Sequence, residues 1–167
     1  VPPNNFNQTG ETMKQEFLYS VEREYPVGLE TLWSAWTQSE ELEKWYSPTM
    51  LSVVPGSATS ETKVGGRWAI GVDVSMNGFN AYFWGRYSEV VENEKLVHSL
   101  SYSQSPEEFE ARDDNAPFHT IVVEFEPRPN GSWVKFTQFG EMPAEQIEAT
   151  KDGMGSYFDN LEIYLSR

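Results

Sequence analysis

From Leu51 to Phe139 the chain is interrupted every ten or so residues by Gly, Asn or Pro, and between the interruptions apolar residues alternate with polar ones. Period-2 alternation marks strands with one buried face, because successive side chains leave a strand on opposite sides. The runs lie at 51–54, 67–75, 80–91, 95–102, 118–127 and 133–139. Turn signals at Asn77-Gly78, Glu92-Asn93-Glu94 and Asn130-Gly131 join neighbouring runs closely enough to impose hairpins. The pattern predicts an antiparallel meander.

Helical spacing brackets this region. FLYSVEREY, residues 17–25, adds one strand ahead of it and runs into Pro26, after which GLETLWSAWT places Leu29, Leu32, Trp33 and Trp36 on one helical face. Ser39 then stands as an N-cap, with Glu40 and Glu41 in the first turn, Leu42 and Trp45 sharing a face, and Ser47-Pro48 as the stop. A last helix begins near Pro143 and continues to Ser166, a span of roughly 36 Å that can cross a sheet. Its apolar stripe is Ile147, Met154, Tyr157, Phe158, Leu161 and Leu165, with Tyr164 at the margin. Gly153 and Gly155 flank Met154, and each helical Gly costs about 1 kcal/mol against Ala. The bare shoulders admit close sheet packing, bend the helix, or leave empty space beneath it.

The charge balance narrows function. Asp plus Glu number 26 against 12 Lys plus Arg, a net charge of −14 that would repel a phosphate backbone, so nucleic acid is not an expected partner. There is no Cys, hence no disulfide, thiol nucleophile or thiolate metal site. No apolar leader and no long apolar run occur, so no membrane span is expected and a cytoplasmic location is the default. Residues 1–14 are polar and patternless and are expected to form a flexible tail, with 15–167 as a single domain. The longest gap between strands, SQSPEEFEARDDNAPF, is rich in acids between Glu107 and Asp114 and is read as a mobile solvated loop, with a binding lid as the alternative.

Three motifs in this order carry a family resemblance. YPVGLETLWSAWTQSEELEKWYSP (25–48), the pair GGRWAIGV (65–72) and FWGRYSEVVENEKLV (83–97), and GMGSYFDNLEIYL (153–165) together resemble the helix-grip, START-like superfamily often labelled SRPBCC. Within it, the chain is similar to the group related to the C-terminal domain of the activator of heat-shock protein 90 ATPase. Met154 departs from the pattern, standing where that group often has Trp. The resemblance implies an α+β helix-grip fold: a curved antiparallel sheet of six or seven strands wrapped around the long C-terminal helix, with two short helices after the first strand. It also implies a cavity between sheet and helix, which Gly153 and Gly155 would widen. It would set Trp45 at the rim of that cavity, whereas packing alone makes Trp45 core.

Strand parity assigns the inward face. Candidate ligand-binding residues on it are Trp68, Ile70, Val72, Phe83, Tyr87, Leu100, Tyr102, Val123, Phe125 and Phe136, joined by Met154 and Phe158 from the helix and by Trp45. Three polar residues share this parity: His98, Gln138 and His119. A buried polar group without a partner costs about 1–3 kcal/mol, so His98 and Gln138 are either satisfied core residues or ligand-orienting ones. His119 is expected exposed at a strand end. Symmetrical pairing about the long loop sets His98 opposite Val123 and Tyr102 opposite His119, which parts the histidines by roughly 14 Å and excludes a shared metal. Trp84 and Arg86 have outward parity and are read as surface residues.

No G-x-S-x-G, P-loop, H-E-x-x-H or G-x-G-x-x-G motif occurs, and no cofactor, metal or catalytic set is implied. The expected function is binding of a small, mostly apolar or lipid-like ligand in the cavity. Two alternatives follow from the resemblance. One is an enzyme of cyclase or hydrolase type on a hydrophobic substrate, with His98 as the strongest inner acid or base; the other is a chaperone-associated interaction module.

Overall fold

Every alternating run between Leu51 and Phe139 pairs with its sequence neighbour as a strand, and the run at 17–25 pairs with the last of them. The computed structural model describes residues 15–167, together with two short strands, β1 (Asn5–Phe6) and β2 (Thr12–Met13), that pair with each other. The expectation of a flexible tail falls mainly on residues 1–14 outside the described ones. The main strands are β3 (Glu16–Tyr25), β6 (Arg67–Val74), β7 (Phe79–Val91), β8 (Lys95–Ser103), β9 (His119–Arg128) and β10 (Gly131–Gly140), with the short β4 (Ser52–Val53) and β5 (Thr59–Ser60) at one edge. They form one antiparallel sheet in the order β3-β10-β9-β8-β7-β6-β4, with β5 also on β6.

The sheet curls, and local features locate the bends. Register shifts interrupt the β7–β8 ladder between Tyr87 and Glu89 and the β10–β3 ladder between Gln138 and Phe139, and such bulges bend a strand. At Gly85 a Cβ would lie 1.9 Å from the Ser99 carbonyl oxygen, so the approach of β8 to β7 leaves room for glycine alone.

The helices α1 (Leu29–Thr37) and α2 (Ser39–Trp45) fill one end of the curl, and the long α4 (Ala144–Leu165) lies across it. Trp36 is the hub of that end, with ring centroids 4.9 Å from Trp45, 5.9 Å from Phe158 and 6.3 Å from both Phe125 and Phe136. Polar contacts fix the C-terminal half of α4 there. Tyr25 Oη donates to the Phe158 carbonyl (2.8 Å), Asn160 Nδ2 to the Trp45 carbonyl (2.8 Å) and Tyr164 Oη to Glu41 Oε1 (2.8 Å), while Arg23 pairs with Asp159 (2.8 Å). The N-terminal half has no such anchors among the described residues: Thr150 Oγ1 donates to Gln146 O in its own helix and to Met142 Sδ just before it.

Three local expectations are corrected. Ser39 is the first residue of α2 and not its cap; its Oγ accepts from the Ser60 amide (2.9 Å) and docks β5 instead. The acidic gap contains a short helix, α3 (Pro106–Ala111), whose Ser105 hydroxyl accepts from Glu108 N and whose Phe109 stacks on Tyr82 at 4.7 Å. Trp84 is no surface residue. The segment after α3 covers it, leaving it 4% exposed with Nε1 donating to the Asp113 carbonyl, while Arg86 beside it pairs with Asp114 (2.9 Å).

Candidate functional site: the hollow under helix α4

Where α1 and α2 end, the space between sheet and α4 is not filled. A cavity of about 940 Å³ lies there, walled by the inner faces of β3, β6–β8 and β10, by the segment before β9, and by the N-terminal half of α4. Gly153 is one of its lining residues, and a Cβ on Gly153 or Gly155 would meet nothing within 4 Å. The glycines thus admit no close backbone; they stand over open space.

Seven of the candidate ligand-binding residues line this hollow, Trp68, Phe83, Leu100, Tyr102, Phe136, Gln138 and Met154, and His119 lines it with them. Eight do not. Trp45 is fully buried between α1 and α2, its Nε1 donating to the Ala35 carbonyl (2.9 Å), so it is core and not rim. Phe125, Val123 and Phe158 pack in the same filled end, Phe125 against Trp33 at 5.1 Å. Ile70 and Val72 are buried along β6, outside the lining. Tyr87 shares a hydrogen bond with Ser60 (2.8 Å). His98 stacks on Trp68 at 4.2 Å, with Nδ1 2.8 Å from the Ser99 carbonyl, and burial holds its pKa down to about 4. It is a neutral core imidazole, off the cavity wall. Parity specifies a face, but not how far along the strand a hollow extends.

The wall carries one continuous polar chain. Tyr19 Oη donates to Gln138 Oε1 (2.6 Å), Gln138 Nε2 donates to His119 Nδ1 (2.8 Å), and His119 Nε2 lies 3.1 Å from the Glu141 carbonyl. The amide can only donate to Nδ1 if that nitrogen is bare, which fixes the Nε2–H tautomer and lets it donate to Glu141. Burial lowers the pKa of His119 in accord with this neutral form. His119 is therefore half-buried in the wall and not simply exposed at a strand end. Its ring lies against Gly140, where a Cβ would come within 2.5 Å.

The β8–β9 register also differs from the symmetrical one. Leu100 opposes His119 and His98 opposes Ile121, so the histidines are two residues out of step, roughly 7 Å along the strand. They still share no partner, and among the described residues no group of three or more His, Asp or Glu is placed to hold a metal ion.

Parity reasoning left out three tyrosines of the lining: Tyr19, Tyr46 and Tyr157. Tyr19 was legible in the alternation Tyr19, Val21, Arg23, Tyr25 of the first strand, and Tyr157 in the stripe of α4. Tyr46 ends α2 where the helical pattern stops, and no period assigns it a direction. Burial raises the pKa of all three, so each keeps its proton.

No helix among the described residues is long and apolar enough to cross a membrane. No curated protein matches the chain. Solved structures match at low identity: the AHSA1 protein of Silicibacter pomeroyi (18% identity, 89% of this chain and 96% of that one, TM-score 0.73) and a protein of Chromobacterium violaceum (18%, 87% and 94%, 0.71). A Nitrosomonas europaea protein matches likewise (21%, 89% and 93%, 0.69). At such identities the likeness bears on the fold alone, an α+β helix-grip arrangement. The family described as activator of Hsp90 ATPase homolog 1-like protein matches residues 26–166, nearly all of the chain from α1 to the C-terminus, and to that family this chain belongs.

Proposed function

We propose that this protein binds a small, mostly apolar molecule in the hollow between the sheet and α4. One observation carries the reading: the hollow is of ligand size and is walled by aromatic and aliphatic side chains, with a few polar groups, among them Gln138 and four phenols, to set orientation. Burial of a ligand's apolar surface there supplies affinity at about 25 cal/mol per Å² before ordering costs. Met154, in place of the bulkier Trp of related sequences, enlarges and softens the roof.

Catalysis finds less support in this geometry. His98 is not part of the lining, and both nitrogens of His119 are engaged by Gln138 and Glu141. A chaperone contact rests on the family description, without a feature of this chain that favours it.

Native mass spectrometry of the protein incubated with a lipid extract tests the proposal, with Gly153→Trp as the filled-cavity control. Adducts on the wild type that disappear in the variant are the expected result. Adducts absent from the wild type, or equal in both, overturn it.

A further inference from the structure

Among the described residues the hollow is lined by a single acidic residue, Glu141, by His119 held neutral, and by no Lys or Arg. Two of its phenols have no hydrogen-bond partner among the described residues. Tyr46 is 5% exposed, and its ring stands edge to face with Tyr157 at 5.1 Å and with Trp68 at 5.6 Å. Neither hydroxyl is among the sealed, unpaired side-chain atoms, which are Trp36 Nε1, Asn80 Oδ1 and Asn93 Oδ1. Each hydroxyl therefore keeps accessible surface, and both residues line the hollow. Tyr19 differs: its proton is already given to Gln138. A ligand that covers such a hydroxyl without accepting its proton strips its hydration, at a cost of about 1–3 kcal/mol, so an acceptor there is favoured.

We infer that Tyr46 and Tyr157 form a two-donor site for one uncharged carbonyl oxygen, so that the ligand is an apolar molecule bearing a ketone, ester or amide group. This rests on the cavity reading above and names the polar group that the cavity takes. A carbonyl oxygen has two acceptor lone pairs and suits two donors from adjacent rings. Burial raises the pKa of both phenols, so both donate across the neutral range. A carboxylate gains the same two bonds but meets no cation among the described lining residues, shares the lining with the acid Glu141, and loses far more hydration.

Three naphthalene probes of one shape separate the possibilities: 2-acetylnaphthalene, 2-ethylnaphthalene and 2-naphthoate, titrated calorimetrically at pH 7 into wild type and a Tyr46→Phe/Tyr157→Phe variant. The variant keeps both rings, and circular dichroism checks its fold. It is expected to weaken the ketone about tenfold or more, the equivalent of about 1.4 kcal/mol or more, and to leave the ethyl compound within about twofold. 2-Naphthoate is expected to bind the wild type more weakly than the ketone. With wild type alone, the ketone's infrared carbonyl stretch should shift down on binding. A ketone affinity unchanged by the variant, an unshifted stretch, or naphthoate as the tightest probe overturns the two-donor site and leaves the cavity reading intact. Failure of all three probes to bind the wild type overturns both.

Discussion

Replacing Gly153 and Gly155 by Ala should make this protein more stable, a direction opposite to that expected if the glycines were there for close packing. Both lie inside α4 with ordinary helical backbone, and a methyl group on either would have no atom within 4 Å to strike. What changes is helix propensity, worth about 0.8–1.0 kcal/mol per Gly→Ala. The two sites are separate shoulders with no shared partner, so the effects should nearly add, to about 2 kcal/mol. For a chain of this length that is a rise in Tm of roughly 4–8 °C. Urea unfolding followed by far-ultraviolet circular dichroism measures it, with an unchanged m-value showing that the unfolded ensemble is not the source. Loss of stability in Gly153→Ala would mean that matter fills the space under the helix, and the hollow would be refuted along with the proposal built on it.

Three further outcomes follow from particular contacts. Amides of residues 147–155 should exchange with deuterium faster than those of 158–165, because the anchoring bonds of α4 to β3 and α2 all lie in its second half. For His98, the folded pKa of about 4 lies below the ordinary 6.5, so the unfolded chain takes up the proton first as pH falls. Stability is thus full above pH 6.5 and declines between 6.5 and 4 by roughly 3 kcal/mol; chemical denaturation across that window should show His98→Phe losing this part of the slope. Phe109→Ala removes the stack on Tyr82 and should cost about 1 kcal/mol, with red-shifted, more quenchable tryptophan emission as the cover over Trp84 loosens.

Local periodicity made most of the architecture legible. The alternating runs, the Asn-Gly turns and the stripe of α4 each depend on neighbours within a few residues, and those neighbours are written in the chain. Most of what failed depended on distance. The β8–β9 register slipped by two residues because a 15-residue connection imposes none, unlike a two-residue turn. Ser105-Pro106-Glu107-Glu108 carried an N-cap, a proline at the first helical position and first-turn acids, but the surrounding acids suggested only solvation. Trp84 was read as exposed because parity cannot foresee a helix laid on the outer face. Of the inward residues, parity found Gln138 and Phe136 on the cavity wall, yet it could not separate them from Val123 and Phe125, which stand on the next strand under α1.

One helix has to do two incompatible things, and its sequence divides them along its length. Over α1 and α2 it must bind the sheet tightly, and there Phe158 and Leu161 are fully buried, worth together about 3–6 kcal/mol. Over the hollow it stays thin: Gly153 and Met154 line it, and Gly153 with the neighbouring Gly155 gives up about 2 kcal/mol of helix propensity. The first quantity exceeds the second, so the filled end can hold a roof over an unfilled one without collapse. Bulk shifted two turns towards the N-terminus would reverse the arrangement: the hollow would close, and the end now packed by Trp36 would lose the ring that completes it.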